Sequence, residues 1–359
     1  MAETCAEEVA EDKKGQLVSE KLARSFLRRK YGIEVSSAKP LPSYDDQNLL
    51  ITGTSADGSR KGPEKWVMKI SCRGDSASDL RLENTVMRFL ADFKGLKIST
   101  PDVIESKEGH YLEEITAKEL GYLSNEVAEE MVGYSKLHVR LVTYIEGEVM
   151  AKTAPADPDL LRDLGNVLGG VDVALRKFKA KSKTNPAKRD IKWDLMKAED
   201  FITAKISYVK TLKGAPFSGE RRLLLVSTFL EIYQRRAKSI HLGLRESIVH
   251  NDANDYNVLV EKGKVSGIID FGDLLETKLI NNLAIACAYA MLGNQVVASA
   301  YESTLHPDNP YILISAKPGW ECLQTLATRV TVNGPANRLH EVLTGESKDK
   351  FQCKGCSVM

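Results

Sequence analysis

Apolar residues recur at two spacings along the first 145 positions, one typical of helices and one typical of strands. Val18, Leu22 and Phe26 lie four residues apart, and Gly32 follows, which predicts an amphipathic helix that ends at the glycine. The runs QNLLITG and KWVMKIS flank a turn-rich stretch and predict a hairpin. Further elements follow in order: a helical stripe at 79–93 and strand-like runs at 110–115 and 136–145. This half therefore predicts a small antiparallel sheet with a helix packed on it.

Beyond residue 146 the pattern becomes mainly helical. Asp157 and Pro158 favour a helix start, and the apolar residues after them keep three- and four-residue spacing as far as Phe178. Further predicted elements are helices at 194–212, 219–240 and 277–292 and the short strands IVH, NVLV and VSGIID. The predicted fold class is α+β with two lobes. Its parts are a disordered tail at 1–16, a sheet lobe at 17–145, a mostly helical lobe at 146–345 and a flexible tail at 346–359.

Charge and composition exclude several classes of protein. The 359 residues include 50 Lys and Arg against 49 Asp and Glu, a formal charge of +1 that gives no reason to expect a nucleic-acid partner. The longest apolar run, 283–292, has half the length that a membrane-spanning helix needs. The N-terminus is acidic without an apolar stretch, and six cysteines are too few for a disulfide framework. We therefore expect a cytoplasmic protein without stable membrane association.

The segment 249–273, VHNDANDYNVLVEKGKVSGIIDFGD, places His250, Asp252, Asn257 and Asp270 on the loop and strand ends of a predicted hairpin. Phosphoryl transfer needs a carboxylate that faces the attacking hydroxyl, and an amide and a second carboxylate that hold Mg²⁺ on the nucleotide phosphates. The motif Asp-x4-Asn followed by Asp-Phe-Gly supplies these three groups in the order in which kinases carry them along the chain. The sequence contains neither a Walker phosphate loop nor the glycine-rich loop of a Rossmann fold. Each residue alone also fits a plain turn, but their joint spacing favours the chemical interpretation.

The chain resembles the aminoglycoside phosphotransferase and choline kinase group of protein-kinase-like enzymes, and within it the hydroxylysine kinases. The resemblance extends from Leu17 to Gly293, through LPSYDDQN, KWVMKIS, RLVTYIEGE, HNDANDYNVLV and IIDFGD. It implies a two-lobed protein-kinase-like fold, with a nucleotide-binding sheet lobe and a mostly helical lobe. By position it implies Asp252 as the catalytic base and Asn257 and Asp270 as Mg²⁺ ligands. We expect His250, two residues before Asp252, to brace the loop.

The resemblance also implies nucleotide-binding residues in the first lobe. Lys69 lies within a strand and is similar to the lysine that pairs with nucleotide phosphates, although an exposed lysine on an edge strand would give the same pattern. Glu83 is similar to the helix acid that pairs with that lysine, and its alternative is an ordinary solvated glutamate. The stretch from Ser43 to Asn48 resembles the loop that covers the phosphates, but it contains no glycine.

Some features depart from the family pattern. Asn251 stands where glycine is usual, and asparagine is the residue that best replaces glycine in a left-handed backbone. Asn282 stands where an acidic residue is usual, which puts the bracing of the loop in question. The segment HPDNPYILISAKPGWECL follows Gly293 after fewer residues than in relatives, so the helical lobe looks shorter than theirs.

These residues lead to one hypothesis and to one alternative from another class. The hypothesis is a kinase that uses Mg²⁺ and GTP or ATP to phosphorylate the hydroxyl of a small amino alcohol, with 5-hydroxylysine as the best candidate. A cationic substrate needs carboxylates, and acidic residues near the motifs are Asp45, Asp46, Asp273 and Glu276. The alternative is a catalytically silent kinase-like module, against which the presence of every motif residue argues.

The C-terminus ends in Cys356-Ser-Val-Met, which matches a prenylation box with lysines upstream. Four-residue matches are common by chance, and a single lipid gives only marginal anchoring. An unmodified tail is therefore the favoured interpretation, and prenylation at Cys356 is the alternative.

Overall fold

The computed structural model describes residues 18–43, 46–55, 64–71, 76–116, 119, 136–153, 158–179, 187–209 and 219–291. Within them the chain forms two compact units. The first consists of the described residues up to Asp92 and those from Thr100 to Ile145. The second consists of Phe93–Ser99 and the described residues from Glu146 onward. Some predictions concern residues outside this described part. They are the two expected tails, Asp45, the segment HPDNPYILISAKPGWECL at 306–323 and Cys356.

The first unit is built around an antiparallel sheet. Its elements are α1 (Glu20–Tyr31), β1 (Ile33–Leu41), β2 (Gln47–Ser55), β3 (Glu64–Ser71), α2 (Ala77–Ala91), β4 (Glu113–Thr116) and β5 (Lys136–Thr143). The strand order is β1-β2-β3-β5-β4, and each neighbouring pair is antiparallel. The predicted sheet and helices are confirmed, whereas β1 was not predicted.

The core of this unit lies between α1 and one face of the sheet. Ser19 begins α1 because its side chain accepts the N–H of Leu22, and Gly32 ends it in the left-handed region at φ 68°. Successive residues of a strand face opposite sides of the sheet, so Lys69 and Arg140 face away from the core. The core includes Phe26 and Leu27 of α1 and, from the sheet, Leu49, Ile51, Trp66, Met68, Ile70, Val139 and Leu141.

The second unit combines helices with two small sheets. Its elements are β6 (Glu148–Val149), α3 (Pro158–Leu175), α4 (Ala198–Val209), α5 (Gly219–Ile232), α6 (Lys238–Gly243), β7 (Glu246–Val249), β8 (Val258–Glu261), β9 (Lys264–Ile268), β10 (Leu275–Lys278) and α7 (Leu279–Met291). Strands β6, β8 and β9 form one sheet, and β7 pairs with β10. The helix expected over 219–240 is divided by a π-helical turn at Tyr233–Ala237, and β10 was not predicted. Among the described helices, none has the length and apolar character needed to cross a membrane.

A chain of buried polar side chains joins several segments of the second unit. The Tyr233 hydroxyl lies 3.0 Å from Nδ1 of His241, whose Nε2 lies 2.7 Å from Oδ1 of Asn281. Nδ2 of Asn281 donates to Oγ1 of Thr277 at 3.2 Å, and that hydroxyl donates to the Asp194 carboxylate at 2.8 Å. An amide oxygen can only accept, so His241 donates from Nε2 and accepts at Nδ1. Burial lowers the pKa of His241, which favours this neutral form.

Candidate active site

His250 braces the loop that follows β7. It is fully buried, and its ring lies edge-on to that of Phe271 with the ring centres 4.6 Å apart. Nε2 lies 3.0 Å from the carbonyl oxygen of Ile269, and Nδ1 accepts the N–H of Asp252 at 3.2 Å. Because a carbonyl can only accept and an amide N–H can only donate, the imidazole is neutral and carries its proton on Nε2. His250 therefore ties the loop to the segment after β9, as expected.

Asp252 presents a carboxylate from the same loop, and both of its oxygens accept hydrogen bonds. Nδ2 of Asn254 donates to Oδ1 at 2.9 Å, and Nδ2 of Asn257 donates to Oδ2 at 3.0 Å. Nδ2 of Asn257 also donates to the carbonyl oxygen of Asp252 at 2.9 Å. These bonds hold the carboxylate in one orientation, which is what a group that receives a proton from a bound hydroxyl requires.

Asp270 follows β9 in a left-handed conformation, with φ 62°, which is uncommon for a residue with a side chain and concentrates at functional sites. Its Oδ1 accepts the N–H of Gly272 at 3.3 Å. The N–H of Ile269, the residue before it, donates to the carbonyl oxygen of Asn257 at 2.9 Å. The segment that leads to Asp270 is thus tied to the loop that carries Asp252 and Asn257.

The residues at this place fit a divalent cation. Asp270 offers a carboxylate oxygen and Asn257 an amide oxygen, and Mg²⁺ prefers oxygen ligands of this kind. Both side-chain hydrogen bonds that Asn257 donates leave from Nδ2, so Oδ1 is the atom that can coordinate a cation. The donor set therefore fits Mg²⁺, and the roles of Asn257 and Asp270 as its ligands stay a prediction.

Replacing Asp270 with asparagine is expected to weaken Mg²⁺-dependent nucleotide binding by about tenfold or more, because the amide oxygen brings no negative charge to the cation. The measurement is the rise in Tm on adding nucleotide, with and without Mg²⁺. Asp159→Asn removes an exposed carboxylate of the same unit and should leave that rise unchanged. An equal Mg²⁺-dependent rise in the parent and in Asp270→Asn would contradict the assignment.

A row of polar residues crosses the sheet of the first unit on the face opposite its core. Asn48 of β2 lies opposite Lys69 of β3, and Lys69 lies opposite Arg140 of β5. Directly opposed residues point to the same side of a sheet, so these side chains are neighbours. Since β3 lies between two other strands, the edge-strand alternative for Lys69 is wrong. Oδ1 of Asn48 is buried without a hydrogen-bond partner among the described residues, which indicates a place for a ligand or water.

Glu83 of α2 reaches this row and is paired with Arg140. Its carboxylate lies 2.6 Å from Nη1 of Arg140, and the two residues are only 1% and 4% exposed. Nη1 of Arg140 also donates to Oδ1 of Asn84 at 3.3 Å. The alternative of a solvated glutamate is therefore wrong. Sequence reasoning missed Arg140, whose signal is a charged residue within the apolar strand KLHVRLVTYI. The pairing of Glu83 with Lys69 stays a prediction.

Ser43 lies in the connection between β1 and β2 and is exposed. Its Oγ accepts the N–H of Asp46 at 3.3 Å, which is a local turn contact. Of the stretch expected to cover the phosphates, the structure thus places Asn48 in the polar row and Ser43 in the exposed connection. A contact of Ser43 with phosphate stays a prediction.

The two asparagines that depart from the family pattern are in contact behind the loop. Asn251 has φ 63°, so it adopts the left-handed conformation that glycine would provide. Its backbone N–H donates to Oδ1 of Asn282 at 3.2 Å, and Nδ2 of Asn282 donates to Oδ1 of Asp172 at 2.8 Å. Asn282 therefore braces the loop although it carries no charge. Sequence reasoning missed Asp172, which gives no local signal within the long helix α3.

Known proteins resemble this chain in sequence and in fold. A hydroxylysine kinase of Xenopus laevis is 28% identical over an alignment of 361 positions, which covers 86% of this chain and 90% of that protein. A hydroxylysine kinase of Bos taurus is 25% identical over an alignment of 358 positions, which covers 86% of this chain and 89% of that protein. The solved complex of an amicoumacin kinase with AMP-PNP, Ca²⁺ and Ami superposes with a TM-score of 0.55 at 14% identity, over 92% of this chain and 95% of that one. AMP-bound spectinomycin phosphotransferase gives 0.53 at 13% identity, over 91% and 99%.

These similarities agree with the arrangement of the two units. The structural matches show a kinase-like fold, in which an antiparallel sheet unit precedes a mostly helical unit. The sequence profile of the phosphotransferase enzyme family matches residues 37–313, which include the polar row, Glu83 and the loop from His250 to Asp270. The chain therefore belongs to the phosphotransferase enzyme family.

Proposed function

We propose that this phosphotransferase moves the γ-phosphoryl group of Mg²⁺-bound GTP or ATP to the hydroxyl of an amino alcohol, with 5-hydroxylysine as the acceptor. The observation that carries the proposal is the Asp252 carboxylate, which the amides of Asn254 and Asn257 hold in place in a loop bonded to Ile269, the residue before Asp270. A carboxylate fixed next to a pair of oxygen ligands is the arrangement that phosphoryl transfer to an alcohol requires.

In the proposed step Asp252 accepts the proton of the substrate hydroxyl while the hydroxyl oxygen forms a bond to the γ-phosphorus. The bond from that phosphorus to the bridging oxygen breaks, and the nucleoside diphosphate leaves with the bonding electrons. Asn257 and Asp270 would hold Mg²⁺, which when bound neutralises charge on the β- and γ-phosphates. Asp252 then releases its proton to solvent.

The polar row of the first unit supports nucleotide binding. Lys69 would pair with the phosphates as a positive charge, and the Asn48 amide, with its buried and unpartnered oxygen, would hydrogen-bond to the nucleotide or to its water. Glu83 would position Lys69 from α2, and Arg140 would in turn hold Glu83.

Support for the acceptor comes from the relatives named hydroxylysine kinase, which match 86% of this chain. 5-Hydroxylysine joins a hydroxyl to two amines and a carboxylate, so its recognition needs acidic groups near the transferred hydroxyl. Asp46 in the first unit and Asp273 and Glu276 in the second are the acidic candidates among the described residues near the motifs.

The test is a phosphotransfer assay on the full chain, with GTP or ATP, Mg²⁺ and a panel of amino alcohols. We expect 5-hydroxylysine to yield nucleoside diphosphate and a phosphorylated product in equal amounts, as measured by chromatography and mass spectrometry. Lysine, which lacks only the hydroxyl, is the matched control and should yield no product. Turnover restricted to another amino alcohol would correct the substrate, whereas Mg²⁺-dependent nucleotide binding without any turnover would favour the silent module.

A further inference from the structure

Asp172 lies on α3 and contacts the Asn282 amide, whose other end contacts the loop. Nδ2 of Asn282 lies 2.8 Å from Oδ1 of Asp172, and the N–H of Asn251 lies 3.2 Å from Oδ1 of Asn282. We propose that Asp172 is a positioning residue of the phosphotransfer site: its carboxylate orients the Asn282 amide, which then fixes the turn that presents Asp252. This inference rests on the function proposed for Asp252.

The orienting effect follows from the chemistry of the two groups. A side-chain amide has a donating and an accepting end, and its neighbours decide which way it faces. An ionised carboxylate can only accept, so Asp172 takes the NH₂ end of Asn282 and leaves the oxygen for the N–H of Asn251. A protonated Asp172 carries a donor of its own and no charge, so it holds the NH₂ end of Asn282 less firmly. The charge of Asp172 therefore strengthens the orientation in which the amide oxygen of Asn282 faces the N–H of Asn251.

The turn at Asn251 depends on this support. Its φ of 63° is disfavoured for residues with a side chain, although asparagine tolerates it better than most. Its own side-chain amide is buried, and neither Oδ1 nor Nδ2 has a hydrogen-bond partner among the described residues. The side chain thus does not stabilise the turn, and the backbone bond to Asn282 does. Asp252 is the next residue, so the direction of its side chain follows from this turn.

The elements packed on α3 carry several charged groups, of which Arg245 acts on Asp172. Burial raises the pKa of Asp172, while the hydrogen bond from Asn282 and the charge of Arg245, just before β7, lower it, and together they leave the pKa at about 7. Within β7, Glu246 is paired with Lys278. β9 contributes the exposed Lys264, and α7 carries no charged residue. Asp172 thus loses its proton within the pH range in which enzymes are assayed.

Ionisation of Asp172 is expected to appear in two pH profiles. As pH rises through about 7, the carboxylate forms, the Asn282 amide is oriented and kcat rises. In the unfolded chain the aspartate ionises near its ordinary pKa of 3.8, so the folded state binds this proton more tightly. The contribution of Asp172 to the free energy of unfolding therefore falls as pH rises from about 4 to about 7. Asp172→Asn should remove both dependences.

Three variants test the positioning role through kcat near pH 8 and the NMR-detected hydrogen exchange of the Asn251 amide. Asp172→Leu removes the acceptor, so we expect kcat to fall and exchange to accelerate by about tenfold or more each. Asp172→Asn keeps the shape, so we expect a loss of about threefold and no pH dependence near 7. The double variant Asp172→Asn with Asn282→Asp places the amide on α3 and the carboxylate on α7. It should restore kcat and the exchange rate of the Asn251 amide to within about twofold of the parent.

Asp163→Asn is the matched control, because Asp163 lies on the same helix and its carboxylate accepts a backbone N–H, that of Val265, at 2.8 Å. It should leave kcat and Asn251 exchange near the parent values. Unchanged kcat and exchange in folded Asp172→Leu and Asp172→Asn would overturn the inference, and so would a double variant no better than Asp172→Asn. If the parent phosphorylates no amino alcohol, the proposed function fails by itself, and the exchange of Asn251 still decides the role of Asp172.

Discussion

An Asp252→Asn variant is expected to bind Mg²⁺-nucleotide within a few-fold of the parent and to lose about 10²- to 10⁴-fold in kcat. The amide has the size of the carboxylate but cannot take the hydroxyl proton. The structure adds a second reason for a large loss. Both carboxylate oxygens accept N–H groups, from Asn254 and Asn257, and an asparagine can accept at only one of the two positions. Its NH₂ would then face another donor, so the side chain would lose its fixed orientation as well.

Asp255→Asn provides the control, since it makes the same chemical change three residues further along the same loop. Burial raises the pKa of Asp255, and its carboxylate accepts backbone N–H groups that an asparagine oxygen can also accept. We expect its kcat to stay within about threefold of the parent. The measurements are steady-state kcat and nucleotide Kd by calorimetry. A kcat near that of the parent in Asp252→Asn would contradict the assignment of Asp252 as the base. Equal losses of kcat in Asp252→Asn and Asp255→Asn would indicate a disordered loop instead.

An Arg140→Ala variant is expected to lower the free energy of unfolding of the first unit by about 3–5 kcal/mol. Glu83 is 1% exposed and cannot recover its hydration when the guanidinium 2.6 Å away is removed. Asn84 loses a donor to its Oδ1 at the same time. The measurement is urea unfolding of the full chain, followed by a probe in the first unit such as the fluorescence of buried Trp66.

Two further variants make this prediction specific to the buried pair. Arg162→Ala removes an arginine paired with Asp159 at the surface, and it should not measurably change unfolding because exposed pairs contribute little. Arg140→Met combined with Glu83→Leu should cost less than the sum of the single changes, because no charge is then left buried without a partner. Additive losses would show that Arg140 and Glu83 act independently.

The local structure of the loop from His250 to Asn257 could be predicted from the sequence because its residues are close together along the chain. His250, Asp252 and Asn257 lie in one connection between two short strands, and Asp270 follows the next strand, β9. Local spacing therefore determines most of their geometry. The helices were indicated for a similar reason, since the 3.6-residue period is a property of each segment by itself, and Gly32 marked the end of α1.

Contacts between distant segments could not be predicted in this way. The ion pair between Glu83 and Arg140 joins α2 to β5, and neither local sequence specifies the other. Strand β1 was missed because its burial pattern alternates only weakly, and β10 because four residues are too few to establish a period before the helix that follows. Whether Asp172 is solvated or bonded depends on what packs against α3, which is a tertiary property.

Helix α7 carries two adjacent asparagines in an otherwise apolar stretch without charged residues, and apolar packing alone would allow such a helix to rotate or slide. Their side chains leave the helix about 100° apart. Asn281 bonds to His241 on one side, and Asn282 bonds to Asp172 and Asn251 on the other. Together they fix the rotation and axial register of α7, as a buried asparagine does in a coiled coil. A core substitution that slipped α7 by a fraction of a turn would therefore displace the catalytic loop without touching any residue of the site.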